Sequence, residues 1–479
     1  MKTFQADVAI IGFGTAGMGA YRAAKNHTER IVVIQSGPYG TTCARVGCMP
    51  SKLLIAAADS AHAIAQAPMF GVHAGTVKVD GPAVMQRVRS ERDRFVGFVL
   101  DTVNDWPAEQ RVLGRARFVS PHDLMVDDHT RVTAQRVVIA TGSSPTIPPG
   151  WREALGDRLV TNDEVFDWQT LPQSLAVVGG GVVGLELAQA LTRLGVRVKL
   201  FSKGTRLGPL TDPEVSAQAY AILSAELAIA APAEVRQVSR QGDQAQVTYS
   251  VDGVEHTEAF EQVLVAAGRR PNLASLDLAA AGIALNDRGL PAFDIETGQI
   301  GDTHVFIAGD VSNAHPLLHE AADDGKIAGD NAGRFPDVRV HPRRAPLGVV
   351  FTDPQMMLAG ASFKALQASG QDFEVGAVNF DDQGRSRVMG QNRGLLRVYG
   401  ERHTGRFLGA EMIGPAAEHI GHLLSWAVQH QLTVQQMLDS PFYHPVVEEG
   451  VRTALRELNR HLRMGPRPVA RCLDCGPGA

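Results

Sequence analysis

Two units of apolar strand, glycine fingerprint and helix, and a late change from strand–helix alternation to strands followed by helices, predict an α/β chain. It should hold two Rossmann-like dinucleotide-binding domains and a C-terminal α+β domain. The first unit is Asp7-Val-Ala-Ile-Ile11, then Gly12-Phe-Gly14-Thr-Ala-Gly17 and a helix through Ala24. Its first glycine makes the tight turn, its second lets a pyrophosphate approach the backbone, and its third lets helix and strand pack closely. Phosphate then meets the helix N-terminus. The next strand, Ile31-Val-Val-Ile34, ends at Gln35, where an acidic group ordinarily binds the ribose hydroxyls. Glutamine keeps a hydrogen bond there without the charge.

From 59 to 113 the pattern is mostly helical, with apolar positions at heptad-like spacing between Val84 and Val103. β character resumes at Arg111 to Phe118, and Arg136-Val-Val-Ile-Ala140 is a strand ending in Thr141-Gly142. Pro145, Pro148 and Pro149 mark a domain boundary. The second unit follows: Ser174-Leu-Ala-Val-Val178, then Gly179-Gly-Gly181-Val-Val-Gly184. Gly17 to Gln35 and Gly184 to Ser202 are each 18 residues apart. A lone fingerprint is weak evidence, but two in the same strand–helix context with the same interval are strong evidence for two dinucleotide sites.

Two further strands end in glycine, Gln262 to Gly268 and Thr303 to Gly309-Asp310. Such carboxyl ends approach a ligand at the crevice of an open α/β sheet. After Arg343 the pattern changes. Gly394 to Tyr399 and Arg406 to Met412 flank a polar turn and read as an antiparallel hairpin, and amphipathic helices follow in 416–430 and 448–462. The expected divisions are 1–150, 151–270, 271–343 (a return to the first domain), 344–463, and a Pro/Gly-rich tail, 464–479.

Composition narrows the function classes. A formal net charge of −5 gives no reason to expect nucleic acid or an anionic membrane as partner. No apolar run reaches the roughly 18 residues of a membrane span, and the N-terminus goes directly into a strand, so a cytoplasmic protein is expected. The 4 cysteines form two close pairs, Cys43/Cys48 and Cys472/Cys475. Paired spacing in a cytosolic chain points to redox or metal chemistry. In Gly40-Thr-Thr-Cys43-Ala-Arg-Val-Gly-Cys48-Met-Pro50-Ser-Lys52, Pro50 suits the first turn of a helix. Cys48 then lies at the positive end of that helix with Lys52 nearby, and both lower a thiol pKa. A structural disulfide or two inert core cysteines remain the alternatives at this point.

In order along the chain, these motifs make it resemble the class I FAD-dependent pyridine-nucleotide disulfide oxidoreductases, which include dihydrolipoamide dehydrogenase, glutathione reductase and mercuric reductase. The resemblance runs to about Leu462 and includes a C-terminal His444-Pro445-Val-Val-Glu-Glu449, in which Val446 replaces the family's threonine. It implies FAD at the first nucleotide site, held by Gly12, Gly14, Gly17, Gln35, Thr42, Lys52, Ala116, Thr141, Gly142, Gly309 and Asp310, with Asp310 on the ribityl chain. It implies a nicotinamide cofactor at Gly179, Gly181, Gly184, Glu186, Ser202, Lys203, Arg206 and Gly268. By the same resemblance Cys48 forms the flavin-facing thiolate, Cys43 attacks substrate, and Lys52 pairs with Glu186. His444, oriented by Glu449, acts as acid/base from the partner subunit of a homodimer with shared active sites.

Past the second fingerprint the strand ends at Ser202-Lys203-Gly-Thr-Arg206. The carboxylate of an NAD-preferring site is absent, and two cations stand where a 2′-phosphate would lie. NADPH is therefore expected, with NADH as the alternative. NADPH favours reduction, so the expected activity is reduction of a disulfide, on a small molecule, lipoyl group or protein. NAD-dependent dihydrolipoamide oxidation is the alternative, ahead of mercuric-reductase-like and transhydrogenase or diaphorase readings. The tail pair Cys472-Leu-Asp-Cys475 resembles in position, though not in spacing, the C-terminal pair of thioredoxin and mercuric reductases, which implies a candidate electron shuttle; ten extended residues beyond Leu462 span at most about 36 Å. An inert tail or a metal pair are its alternatives. No metal site is expected, because a zinc tetrahedron would lack two ligands.

Overall fold

A computed structural model describes residues 1–463, so the tail pair Cys472/Cys475 lies outside the described residues. The first sheet has seven strands. Lys2–Ile11 lies centrally and pairs in parallel with Ile31–Gln35 on one side and Thr130–Ile139 on the other. Arg111–Leu113 extends one edge, and Val305–Ile307 returns from far along the chain to pair in parallel with Thr130–Ile139. An antiparallel extension, Asp123–Val126 and Ala116–Phe118, completes the sheet. The apolar ends of the parallel strands are buried on both faces, one against helices Thr15–Ala24 and Leu318–Arg334 and the other against the antiparallel extension and residues 273–283.

The second sheet is all parallel, from Ala228–Ala230 through Arg197–Phe201, Ser174–Val178 and Gln262–Val265 to Leu159–Val160. A three-stranded antiparallel meander, Glu234–Gln241, Gln244–Val251 and Val254–Phe260, is attached to it. Two short strands, Ser143–Pro145 and Arg269–Pro271, pair antiparallel where the chain enters and leaves this unit. The third sheet, residues 347–414, is antiparallel throughout, with the expected hairpin at its centre as Leu395–Glu401 and Phe407–Gly414. Helices Ala417–Gln429 and Glu449–Leu462 cover it with their apolar faces.

The two fingerprint loops repeat each other in detail. Gly12 and Gly179 both take positive φ, +96° and +127°. A Cβ on Gly12 would lie 2.3 Å from the Ala140 carbonyl oxygen, and one on Gly179 2.2 Å from that of Ala266. Gly17 and Gly184 each pack onto the first glycine of their own loop, where a Cβ would lie 2.0 Å from its carbonyl oxygen. Only glycine fits these contacts. By contrast, Gly14 and Gly181, at the N-caps of helices Thr15–Ala24 and Val182–Arg193, would meet nothing within 4 Å. The space before each helix N-terminus is open to a ligand.

One packing feature had no sequence signature. Helix Leu318–Arg334 crosses Thr15–Ala24 through Gly325 and Gly329, whose added Cβ atoms would lie 2.1 Å and 2.2 Å from the carbonyl oxygens of Ala16 and Ala20. Bare glycine backbone is what lets the helix after Asp310 press against the fingerprint helix.

Candidate active site

A cavity opens in front of the first fingerprint helix. Gly14, Gly142, Gly309 and Asp310 line its inner end. Thr42, Cys43, Cys48 and Lys52 line the wall from the cysteine motif, and Val182 and Glu186 reach it from the second nucleotide unit. Residues scattered through more than half of the sequence thus meet at one place. The helix of the motif spans Cys48–Gln66 and starts on Cys48 itself, so its first-turn N–H groups and dipole act directly on that sulfur.

Cys43 and Cys48 are free thiols and hydrogen-bond to each other. That bond is the largest influence on both. Cys43, as donor, holds its proton well above the usual thiol range, with burial adding to the effect. Cys48, as acceptor, is lowered to about 7, helped by the ammonium of Lys52 against the opposing effect of burial. The pair therefore keeps a proton on Cys43 and a nucleophilic thiolate on Cys48 near neutral pH.

Lys52 is fixed by three groups. Its Nζ donates to Glu186 Oε2 at 2.6 Å and to Ser51 Oγ at 3.3 Å, and it lies 4.4 Å from the ring centre of Phe351. Glu186 is only 5% exposed, and its other oxygen accepts the Phe351 N–H at 2.9 Å. A buried carboxylate needs such partners, and here they come from the first sheet's domain and the antiparallel domain. Phe351 carries no signal in sequence terms except its place just before Thr352-Asp353-Pro354.

His444 does not line this cavity. Its imidazole is 75% exposed, and Nδ1 faces both oxygens of Glu449 at 3.1 Å. Glu449 also accepts the Val446 N–H at 3.2 Å and Arg452 Nη2 at 2.9 Å, so the carboxylate that orients the ring is itself held. Gln383, buried under this loop, donates from Nε2 to the Val446 carbonyl at 2.9 Å while Oε1 accepts from Ser386. That contact anchors the loop where valine replaces threonine. Within one chain the loop 446–448 instead lines a second cavity, which shares only Lys52 with the first.

Some expected binding residues also make contacts within the chain. The amide of Gln35 braces the fingerprint loop, with Oε1 accepting the Phe13 N–H at 2.8 Å and Nε2 donating to the Pro38 carbonyl at 3.2 Å. Ala116 buries its methyl group in the core of the first domain and is absent from the cavity wall. Thr141 is tied to Asn272, donating to its carbonyl at 2.8 Å and accepting its side-chain amide at 3.0 Å. Ser202 turns its hydroxyl to the Gly204 carbonyl at 2.8 Å and lies against the second fingerprint at Gly180. Lys203 and Arg206 are exposed and have no ion-pair partner among the described residues.

Comparison with known proteins agrees with this arrangement. Residues 6–325 match the sequence family described as pyridine nucleotide-disulphide oxidoreductase. The chain belongs to that family. Residues 347–455 match the family's dimerisation domain. Mercuric reductase of Shigella flexneri is 31% identical over 471 residues, covering 95% of this chain and 81% of the relative. Dihydrolipoyl dehydrogenase of Chlamydia pneumoniae is 28% identical, covering 97% of this chain and 100% of the relative. Among solved structures, LpdA from Mycobacterium tuberculosis superposes with a TM-score of 0.80 at 25% identity, covering 96% of this chain and 100% of that one. The HOCl-induced flavoprotein disulfide reductase RclA from Escherichia coli gives 0.78 at 25% identity, covering 96% and 100%. As a member of this family the chain is an FAD-dependent oxidoreductase that uses NAD(P)H. Among the described residues no helix is long and apolar enough to cross a membrane, and no cluster of three or more His, Cys, Asp or Glu is arranged to hold a metal ion.

Proposed function

We propose that this protein is a homodimeric flavin-dependent disulfide reductase that draws on NADPH and acts through Cys43 and Cys48. One observation carries the reading: a thiol–thiolate pair, the Lys52–Glu186 pair and an open glycine cradle line one cavity. FAD fits that cradle, since Gly14 leaves free space at a helix N-terminus and Asp310 and Thr42 offer polar groups along the wall. When bound, FAD supplies transfer of an electron pair from the nicotinamide to the cysteines. Lys52 places a fixed cation beside the Cys48 sulfur, and Glu186 keeps that cation from swinging into solvent.

With the pair reduced, Cys43 loses its proton to His444 of the partner subunit and attacks one sulfur of the substrate disulfide. The substrate S–S bond breaks, one substrate thiolate leaves and takes the proton back, and a mixed disulfide forms on Cys43. Cys48 thiolate then attacks Cys43, releases the second substrate sulfur as a thiolate, which takes its proton from solvent, and restores the Cys43–Cys48 bond. Two electrons leave the cysteine pair and one disulfide becomes two thiols. The high proton affinity of Cys43 is why this step calls for a base, and a histidine oriented by a carboxylate serves near neutral pH.

Exposed, unpaired Lys203 and Arg206 beside Ser202 support NADPH over NADH. The relatives named dihydrolipoyl dehydrogenase and mercuric reductase favour, as alternatives, lipoyl groups or thiol-bound mercuric ion as substrate, the latter with Cys472 and Cys475 as carriers. The test is anaerobic addition of NADPH to parent enzyme and to Cys48→Ser. A long-wavelength thiolate–flavin band in the parent and none in the variant supports the assignment, and the band persisting in Cys48→Ser refutes it. A screen of disulfides and mercuric thiolates with intact and tail-deleted enzyme then separates the substrates.

A further inference from the structure

Asn162 belongs to neither fingerprint nor to the cysteine motif, yet it touches the segment between the two cysteines. It opens the short helix Asn162–Val165 at the edge of the second nucleotide unit, is 8% exposed, and lines the cavity. Its Nδ2 donates to the main-chain carbonyl of Val46 at 2.8 Å and to Asp163 Oδ1 at 3.0 Å. Val46 is the last residue of helix Thr42–Val46, where carbonyls have no partner within the helix. Only Gly47, at φ −129° and ψ −116°, separates it from Cys48.

The other end of the amide is also occupied. Asn162 Oδ1 accepts from Arg269 Nη1 at 3.4 Å. Arg269 donates to Ser143 through Nε to Oγ at 2.8 Å and through Nη2 to the carbonyl at 2.6 Å. Ser143 Oγ donates onward to Asp310 Oδ2 at 2.8 Å. An amide alone offers a donor for a carbonyl and an acceptor for a guanidinium at one position. Aspartate lacks the donor, and serine is too short to serve both.

We propose that Asn162 is a positioning residue for the cysteine pair: it clamps the Val46 carbonyl, holds the two thiols in contact, and ties that segment through Arg269 and Ser143 to Asp310. Gly47 has no side chain to restrain its rotation, so the clamp fixes the Val46 side of this joint while helix Cys48–Gln66, through Ser51 N–H on the Gly47 carbonyl at 3.2 Å, fixes the Cys48 side. Loss of the clamp lets Cys48 drift from the thiol that stabilises its ionised form. The inference rests on Cys43 and Cys48 being the redox pair.

The test uses holoenzyme reduced with excess dithiol and desalted anaerobically, then alkylated with iodoacetamide across a pH series. Peptide mass spectrometry reads Cys48 separately from the other cysteines. Asn162→Leu keeps the branched shape without donor or acceptor, and Asn162→Ser is a smaller second variant. The parent midpoint is expected near 7. Both variants should shift upward by about one pH unit, which lowers the Cys48 alkylation rate at neutral pH about fivefold. A flavin-loaded variant of either kind that keeps the parent midpoint overturns the proposal. If Asn162→Leu fails to retain flavin, Asn162→Ser decides. Because chemical reductant opens the pair, failure of NADPH to reduce any disulfide would count against the proposed function and leave this measurement unaffected.

Discussion

The contact between the two thiols makes a sharp prediction. Cys48 is lowered to about 7 chiefly because Cys43 donates a hydrogen bond to it, with Lys52 contributing less. Cys43→Ala removes the donor, and Cys43→Ser keeps an O–H donor at the same place. Losing a hydrogen bond to a charged sulfur, net of solvent compensation, raises the Cys48 pKa by about one unit, because a bond worth about 1.4 kcal/mol equals tenfold in ionisation. At pH 7 the thiolate fraction then falls from about one half to about one eleventh, so alkylation slows about fivefold. The sign follows from the direction of the shift: a lowered acid pKa means the reactive form exists above the midpoint, and the variant needs a higher pH to reach it. The assay is the pH dependence of Cys48 alkylation by peptide mass spectrometry. Cys43→Ser should remain near the parent, and Cys43→Ala should not. Equal midpoints in the two variants would show that the hydrogen bond does not set the thiolate, and Lys52 with the helix N-terminus would have to carry the effect.

Three further expectations concern other parts of the molecule. Lys203→Ala with Arg206→Ala should raise KM for NADPH at least about tenfold and leave KM for NADH within about twofold, since each removes a cation suited to a phosphate; parallel steady-state kinetics with both cofactors would show it, and equal losses would refute it. Mixing inactive Cys43→Ala with inactive His444→Gln chains should restore about a quarter of the parent activity, because about half of the dimers would be hybrids with one intact site of two. No recovery after subunit exchange, verified by native mass spectrometry, would place both groups in one subunit's site. Glu411 is fully buried and accepts from the N–H groups of Thr211, Asp212 and Phe363 and from the Thr211 hydroxyl, joining the domain of the second sheet to the antiparallel domain. Glu411→Ala strands these donors and should cost about 3 kcal/mol, read as a lower urea midpoint.

Gln383 shows why some site residues escaped the sequence reading. The substitution of Val446 for threonine raised a question about the loop carrying His444, but the side chain that holds the loop lies 63 residues earlier. No local pattern around Val446 points to it. Arg269 and Asn162 differ in this respect. Arg269 directly follows Gly268 in a strand end that reads as ligand-facing, so a signal existed. Asn162 is the first residue of a short helix that Thr161 caps, with no local signal of its own, and its bond to Val46 depends on how two domains meet.

What the sequence by itself determined were the features that physics makes local. The fingerprints at Gly12 and Gly179 are local because only glycine tolerates their positive φ and their contact with a neighbouring strand end. The parallel sheets follow from doubly covered apolar strands, and the hairpin of the third sheet from its polar turn. The acidity of Cys48 was foreshadowed by its place at a helix start with Lys52 one turn on. Tertiary structure decided what depends on distant segments meeting. It brought Glu186 and Phe351 to Lys52, spent Gln35 on bracing its own loop, and buried Ala116 away from the cavity. It also placed His444 away from the cysteine wall of its own chain. A hydrogen bond between side chains far apart in sequence leaves no periodicity to read, since its strength depends on position in space and not on spacing along the chain.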